Sequence, residues 1–339
     1  MIDLNAAVTF QDASGNDFNL NEITGGQPLA GGGKPVSGYM VDAIGFGSAS
    51  PIGYEDPKAT SDGIDTAEAF AGRRIITMGL AIYGSTRADL FQRIQNVTNL
   101  MRFMPKLYNT SDGFRQLKGN MITTDANFVP SGQTSTTIPV YFYVRPLQIP
   151  QTEVISSQFT GSDALGYSAK MNLFWLMKYP VKYAQQLSNI TNMATNGTEY
   201  TINNHGAAPA DLQISFQSVD GSAKTTDIKV VITVAGTPLT FTTTDTVGAD
   251  GAIVRSYFVD YKEQILYKRE YNPTTFVTTS TIAMNLINVD SGALFATVEP
   301  TADLSTPAKV KVEVYDANTP FAQITSGYSA TVSWREAWY

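Results

Sequence analysis

Ile76, Met78, Leu80 and Ile82 fall on alternate positions, with Ile75, Thr77, Ala81 and Tyr83 between them. That period of two predicts a strand with one dominantly apolar face. Gly84-Ser85 breaks it. Thr86 is placed to cap a helix, and Asp89 three residues on completes a capping-box pattern that favours the positive helix start. Leu90, Phe91, Ile94, Val97, Leu100, Met101 and Met104 then recur at helical spacing as one apolar stripe. Gln92, Arg93, Gln95, Asn96, Asn99 and Arg102 form the polar face. Pro105 ends the pattern, so a helix is expected over about 86–104.

Nearly everything else patterns as β. Residues 1–20 suggest two short strands around a turn at 12–16. Further β runs come at Phe114–Ile122 and at Ile138–Val144, the latter closed by Pro146. Met171–Tyr179 is dense in apolar residues and suits a strand or a short helix equally well. After about Thr195 the alternation is sustained: Leu212, Ile214, Phe216; Ile228, Val230, Ile232, Val234; Val310, Val312, Val314; Tyr328, Ala330, Val332, Trp334. Short strands with frequent turns and no intervening helix predict an antiparallel sandwich or barrel. The expected fold class is therefore mainly β, an N-terminal β domain with one packed α-helix followed by a C-terminal antiparallel β-sandwich. Residues 22–72 hold many glycines and prolines, and only Tyr39–Phe46 has apolar density; the stretch is expected to be a long loop or arm. The polar run 148–161 marks a boundary, giving domains at 1–155 and 196–339 with a connecting segment at 156–195.

Composition narrows the functions. A 339-residue chain is long enough for two cores. Its 16% charged fraction is low, and the net charge is −7, with isolated basic pairs at Arg73-Arg74 and Lys268-Arg269. Nothing here resembles a phosphate-gripping stripe. The chain has no cysteine and a single histidine, which excludes disulfides, thiolate metal sites and cysteine nucleophiles. No apolar run is long enough for a membrane-spanning helix, and the first residues show no secretory pattern.

Three stretches carry a resemblance. In SDGIDTAEAFAGRRIITMGLAIYGSTRADLFQRIQNVTNLM (61–101), an Asp-Gly turn precedes the strand, the Gly-Ser break and a helix opening with Ala-Asp-Leu. VYFYVRPLQIP (140–150) is a strand closed by proline. INNHGAAPADLQISFQ (202–217) and ATVSWREAWY (330–339) open and close the sandwich, the latter with a Trp-Arg pair. In this order they resemble the distal tail proteins of long-tailed, siphovirus-type bacteriophages. The resemblance implies a tail-tube-like ring domain and a galectin-like sandwich that projects outward. It also implies a homo-hexameric ring at the tail tip that joins the tail tube protein to hub and fibre proteins. DNA would pass through the lumen without specific binding, and the protein, made in the host cytoplasm, would reside in the virion. A weak glycan contact by the C-terminal domain would serve host attachment.

Candidate chemistry is sparse. Gly31-Gly32-Gly33-Lys34 fails the phosphate-loop spacing, because Pro28 and Pro35 stand where the first glycine and the Ser/Thr belong. His205 lacks partners in sequence for a triad or zinc site, and Asn203-Asn204-His205-Gly206 suits a turn in which Asn and Gly tolerate positive φ. Asp245, Asp250, Gly248 and Gly251 lack the ligand spacing of a calcium loop and suit a hairpin turn. Glu199, Glu263, Glu270, Glu299 and Glu313 supply carboxylates, but glycoside hydrolysis needs two at a defined separation; solvated side chains are expected. Trp334, Trp338 and Tyr339, with Tyr267 and Tyr271, suit either a sugar-stacking platform or the edge of a core, the core being favoured. The Asn-x-Ser/Thr sequons at Asn96, Asn109, Asn189 and Asn196 carry no weight without a secretory signal. No catalytic, cofactor or metal residue is assigned, and a structural, non-enzymatic role is expected. Two alternatives remain: a tail-tube subunit with an added β domain, and a secreted carbohydrate-binding or glycan-active β protein.

Overall fold

The computed structural model describes residues 2–3, 6–12, 14–24, 37–46, 51–52, 55–57, 64–66, 70–71, 74–102, 114–155, 167–224, 227–250, 253–287, 295–301, 306–319 and 322–338. The chain forms two compact units, Met1–Gln185 and Gln186–Tyr339. Both are β, and the strand pairings described below are antiparallel.

In the first unit the strand Ile75–Gly84 is central. It pairs on one side with Tyr167–Met177 and on the other with Ser37–Phe46, which bulges between Val41 and Ala43 and carries Glu22–Thr24 beyond it. Ile76, Met78, Leu80 and Ile82 are all buried, as their alternation predicts. Thr136–Pro146 meets Tyr167–Met177 only over its last residues, Val144–Pro146. From there the path runs to Arg115–Thr123, Thr9–Gln11 and Asp17–Asn19. Phe10 of that second wing meets Trp175 of the first edge-on at 5.7 Å, so the two wings share a core.

The helix Arg87–Leu100 packs on Ile75–Gly84, Tyr167–Met177 and Ser37–Phe46. Thr86 caps it by accepting from the Asp89 N–H at 3.1 Å. The Asp89 carboxylate reaches past the cap, taking the Ser85 N–H at 2.8 Å and the Ser37 hydroxyl at 2.5 Å. Burial acts to raise this carboxyl, but those bonds and the Arg93 guanidinium outweigh it and hold it below the usual carboxylate range. Gly84 allows the close entry: a Cβ there would lie 2.4 Å from the Leu90 nitrogen. Two expectations need correction. The helix stops at Leu100, not Met104, because Met101 closes the last turn and Arg115 donates to the Leu100 carbonyl at 3.2 Å; residues 103–113 lie outside the described residues. Phe91 does not join the stripe. It is 50% exposed beneath the Arg87 guanidinium, since the 100° step per residue turns it away from Leu90, Val97, Leu100 and Met101, which are buried.

The stretch 22–72 is not a bare loop. Ser37–Phe46 is a full strand because Tyr39 and Val41 alternate into the core. Pro51–Ile52 pairs with Phe70–Ala71, and Glu55–Pro57 with Ile64–Thr66, as successive rungs of one antiparallel excursion. The expected connecting segment 156–195 is also divided. Tyr167–Met177 pairs with Ile75–Gly84 over ten residues and belongs to the first unit, whereas Ser188–Ala194 is a strand of the second. Buried Met171, Leu173, Trp175 and Met177 decide the ambiguous apolar run as a strand.

The second unit is a sandwich. One sheet runs Ser188–Ala194, Tyr328–Trp334, Leu212–Ser218, Ile253–Asp260, Ile265–Asn272, Val277–Ile282. The other runs Tyr200–Ile202, Ala308–Asp316, Ile228–Val234, Thr237–Thr243. Ile214, Phe216 and Val332 from the first meet Val230, Ile232 and Val312 from the second in one core.

Candidate functional site

The first unit presents a broad sheet face opposite its helix. Cross-strand neighbours share a face, so the register sets Met40 beside Ala81 and Lys170, Ala43 beside Gly79 and Asn172, and Gly45 beside Thr77 and Phe174. Asp42, at the bulge, lies against Gly79. In these rows small residues (Ala43, Gly45, Thr77, Gly79 and the buried Ala81) stand beside Met40, Asn172 and Phe174, with Asp42 and Lys170 among them, and the register sets Glu153 opposite Lys170. At one end Phe46, Ile75 and Leu147 are exposed apolar side chains, and the Leu147 N–H donates to the Phe174 carbonyl at 2.9 Å. Exposed apolar groups gathered at a sheet end suit contact with another chain. The central strand Ile75–Gly84 cannot itself supply an edge to a neighbouring subunit, because both its edges are paired within the chain. The path ends instead at Asp17–Asn19 and Glu22–Thr24.

The second unit holds a cavity of ≈ 550 Å³ lined by Asn189, Thr201, Asn203, His205, Trp334 and Glu336 among others. Its floor is a hydrogen-bonded knot. The buried Asn204 amide donates to the Ala208 and Val298 carbonyls, both at 2.9 Å, and accepts from the Gly206 N–H at 3.0 Å. Glu336, 5% exposed, accepts from Gly206 N–H at 2.9 Å and from the Trp334 indole N–H at 3.2 Å. Burial pushes its carboxyl above the usual range despite those donors and nearby His205. The expected turn at 203–206 thus has a different basis. Neither Asn203, Asn204 nor Gly206 takes positive φ; Gly206 is needed because a Cβ would lie 2.3 Å from the Ala337 carbonyl oxygen. Chemically the cavity offers one carboxyl, one imidazole and several amides, which suits hydrogen bonding to a small polar molecule.

The remaining sequence candidates are dispersed. Asp245 pairs with Lys268 at 2.8 Å and accepts from the Tyr257 hydroxyl at 3.2 Å, with Lys268 holding its carboxyl low. Gly248–Asp250 pairs with Ile253–Asp260, Asp250 opposite Ile253, which is a hairpin; Gly251 lies outside the described residues. Glu199 meets Lys309 at 2.6 Å, Glu270 meets Arg255 at 2.9 Å, and Glu313 meets Lys311 at 3.0 Å. Glu263 and Glu299 are exposed. Trp334 and Trp338 are buried, so they finish the interior and do not form a platform; Tyr267 is half-buried and Tyr271 exposed. Gly31-Gly32-Gly33-Lys34, Asn109 and Tyr339 lie outside the described residues. Among the described residues no three His, Asp or Glu side chains converge as metal ligands, and no helix is long and apolar enough to cross a membrane. Sequence reasoning missed Glu336; the signal was a lone acid set between aromatic residues in WREAWY.

No protein-family model matches the chain, and no curated protein matches it in sequence. Solved structures do match. The SPP1 Dit (gp 19.1) protein, presented as a paradigm of the hub adsorption apparatus in Gram-positive infecting phages, aligns with a TM-score of 0.49 and 14% identity over 98% of this chain and 99% of its own. A chain of the phage p2 baseplate in its activated conformation with Sr aligns with a TM-score of 0.40 and 9% identity over 97% of each. One from the same baseplate with Ca gives 0.38 and 8%, over 98% and 97%.

Proposed function

We propose that this chain is a structural protein of a bacteriophage tail tip and not an enzyme. In this reading the first unit forms a homo-hexameric ring that joins the tail tube to hub and fibre proteins and lets DNA pass. The observation that carries it is the sheet face that sets Met40, Ala43, Gly45, Thr77, Gly79, Ala81, Asn172 and Phe174 together, with Asp42 on it and Glu153 opposite its Lys170 in register. Such a face offers phosphates no cationic grip, as a lumen wall requires. The exposed apolar end at Phe46, Ile75 and Leu147 supplies surface for a neighbouring subunit. The order of turn, strand, Gly-Ser break and helix in 61–101, followed by a separate sandwich, supports the same assignment. The excursion through Glu55–Pro57 and Ile64–Thr66 serves as the inter-subunit arm.

The alternative of a carbohydrate-binding β protein has one observation in its favour, the polar cavity at His205 and Glu336. It is compatible with a weak glycan contact on a tail protein. Light scattering of the purified protein separates the two: a hexamer, or a monomer that assembles with tail partners, supports the ring. A strict monomer that hydrolyses glycans overturns it.

A further inference from the structure

Arg74 and Lys182 come together at one end of the buried sheet face of the first unit. The Met177 N–H donates to the Arg74 carbonyl at 2.9 Å, which continues the pairing of Ile75 with Leu176 by one residue and sets Arg74 beside Met177. Met177 in turn lies opposite Val144. Further along the same edge of Thr136–Pro146, Tyr141 faces Tyr183, so Lys182 stands beside Phe142. Opposed residues share a face, and Met177, Val144 and Phe142 are all buried. The two cations therefore lie on the face away from Thr77 and Gly79, one strand spacing and about two residues apart, roughly 8 Å between backbones. The Phe46 ring, 39% exposed, lies against Phe142 at 5.3 Å, which marks this end as the rim of the core.

The charges around Arg74 do not neutralise it. Lys178 lies over the Tyr179 ring at 5.2 Å and Arg145 over the Phe114 ring at 5.3 Å, and both are cations. Among the described residues Arg74 makes no ion pair, and its Nε, shut off from solvent, has no hydrogen-bond partner. A buried guanidinium N–H left unpaired costs its full desolvation. Burial, with the Arg74 charge adding to it, holds the Lys182 ammonium below its usual range. A negative group shared by the two side chains relieves both strains at once. The planar fork of an arginine takes two oxygens of a carboxylate or phosphate, and a lysine ammonium adds a point charge. We infer that Arg74 and Lys182 form a binding site for one oxyanion, a phosphate or carboxylate group, at the rim of the first unit. Its source is either a free oxyanion or a side-chain carboxylate of a neighbouring protein chain, for which exposed Phe46 and Ile75 supply an apolar border. Two cations displace too few counterions to hold duplex DNA, and the site is not on the face proposed for the lumen wall.

Inorganic phosphate is the probe, and calorimetry of the full-length protein reads it. Against sodium chloride of equal ionic strength, phosphate at about ten times its dissociation constant should raise the first-unit midpoint by roughly 3–6 °C beyond any rise in the second-unit transition. The second transition reports the general effect of phosphate on buried surface. Arg74→Met should lose that excess, and in chloride alone it should unfold no earlier than the native chain, because it removes the unbonded donor and the repulsion together. Lys182→Gln should lose the excess too, which decides the matter where Arg74→Met fails to fold. Arg74→Lys should retain part of it. An excess equal in the native chain and the neutral variants, or no excess in the native chain, overturns the proposal. Carbodiimide, which couples an ammonium to a carboxylate held against it, separates the two sources. A chain-to-chain product in concentrated protein that Lys182→Arg removes identifies a neighbour's carboxylate; phosphate binding without that product identifies a free oxyanion. A ring that fails to form leaves the phosphate response unaffected, since it is read on the chain itself.

Discussion

Truncating Leu90 to alanine tests how the helix is held and where the next subunit sits. Leu90 is 2% exposed, in the first helical turn, directly over Gly84. Leu90→Ala removes three buried carbons from a site fixed by the Thr86 cap and the Asp89–Ser37 bond, so the cavity cannot collapse freely. Buried leucine truncations cost roughly 2–5 kcal/mol, and the rigid surroundings place this one near the middle, about 3 kcal/mol. For a unit of this size each kcal/mol lowers the unfolding midpoint by about 2–4 °C, so the first-unit transition should fall by roughly 6–12 °C. Phe91, the adjacent residue, is 50% exposed. Phe91→Ala in the monomer should cost well under the roughly 3–5 kcal/mol of a buried phenylalanine. Scanning calorimetry of both variants measures this. The same pair compared in assembled material asks whether a neighbouring chain covers Phe91: a loss that grows on assembly locates a subunit contact. Equal, small losses at Leu90 and Phe91 would refute the packing described for the helix.

Thr86→Ala should destabilise the first unit by about 0.5–2 kcal/mol through loss of the cap, and Thr86→Ser should restore most of it in the same denaturation assay. Burial, with the Asp245 carboxylate adding to it, pushes the Tyr257 phenol up to about 12 against about 10 in the unfolded chain. Its contribution is complete below pH ~10 and falls away as pH rises toward 12, so unfolding midpoints should drop over that window and drop less in Tyr257→Phe; parallel curves would contradict this. A fragment spanning 186–339 should unfold cooperatively with a β-type spectrum, and failure to fold under any condition would show that the two units are not separable. Duplex DNA should not bind the free protein at physiological salt, because few cations are placed to displace counterions; salt-dependent micromolar binding by anisotropy would contradict the passive lumen.

The elements with clean periodicity were legible in sequence. Ile76, Met78, Leu80 and Ile82, and Ile228, Val230, Ile232 and Val234, are buried as their alternation predicts, although Ala81 on the opposite face of the first strand is buried too. Where two burial patterns overlap, the pattern misleads. Phe91 is counted in the stripe but, one 100° step from Leu90, is turned to solvent. Tyr167–Met177 was masked by the polar run before it, although its strand is fixed by a partner about ninety residues upstream, a pairing that local sequence does not encode. The cavity shows the same limit. Asn204, Gly206 and Glu336 meet across 130 residues, and the need for Gly206 comes from the Ala337 carbonyl, not from its own turn.

The most direct test of the central claim is an electron micrograph of the full-length protein, alone and on purified tails. A closed sixfold ring with a central channel, found at the tail tip when tails are present, is the result this account predicts. Monomers in solution, together with tail tips that lack this protein, would contradict it.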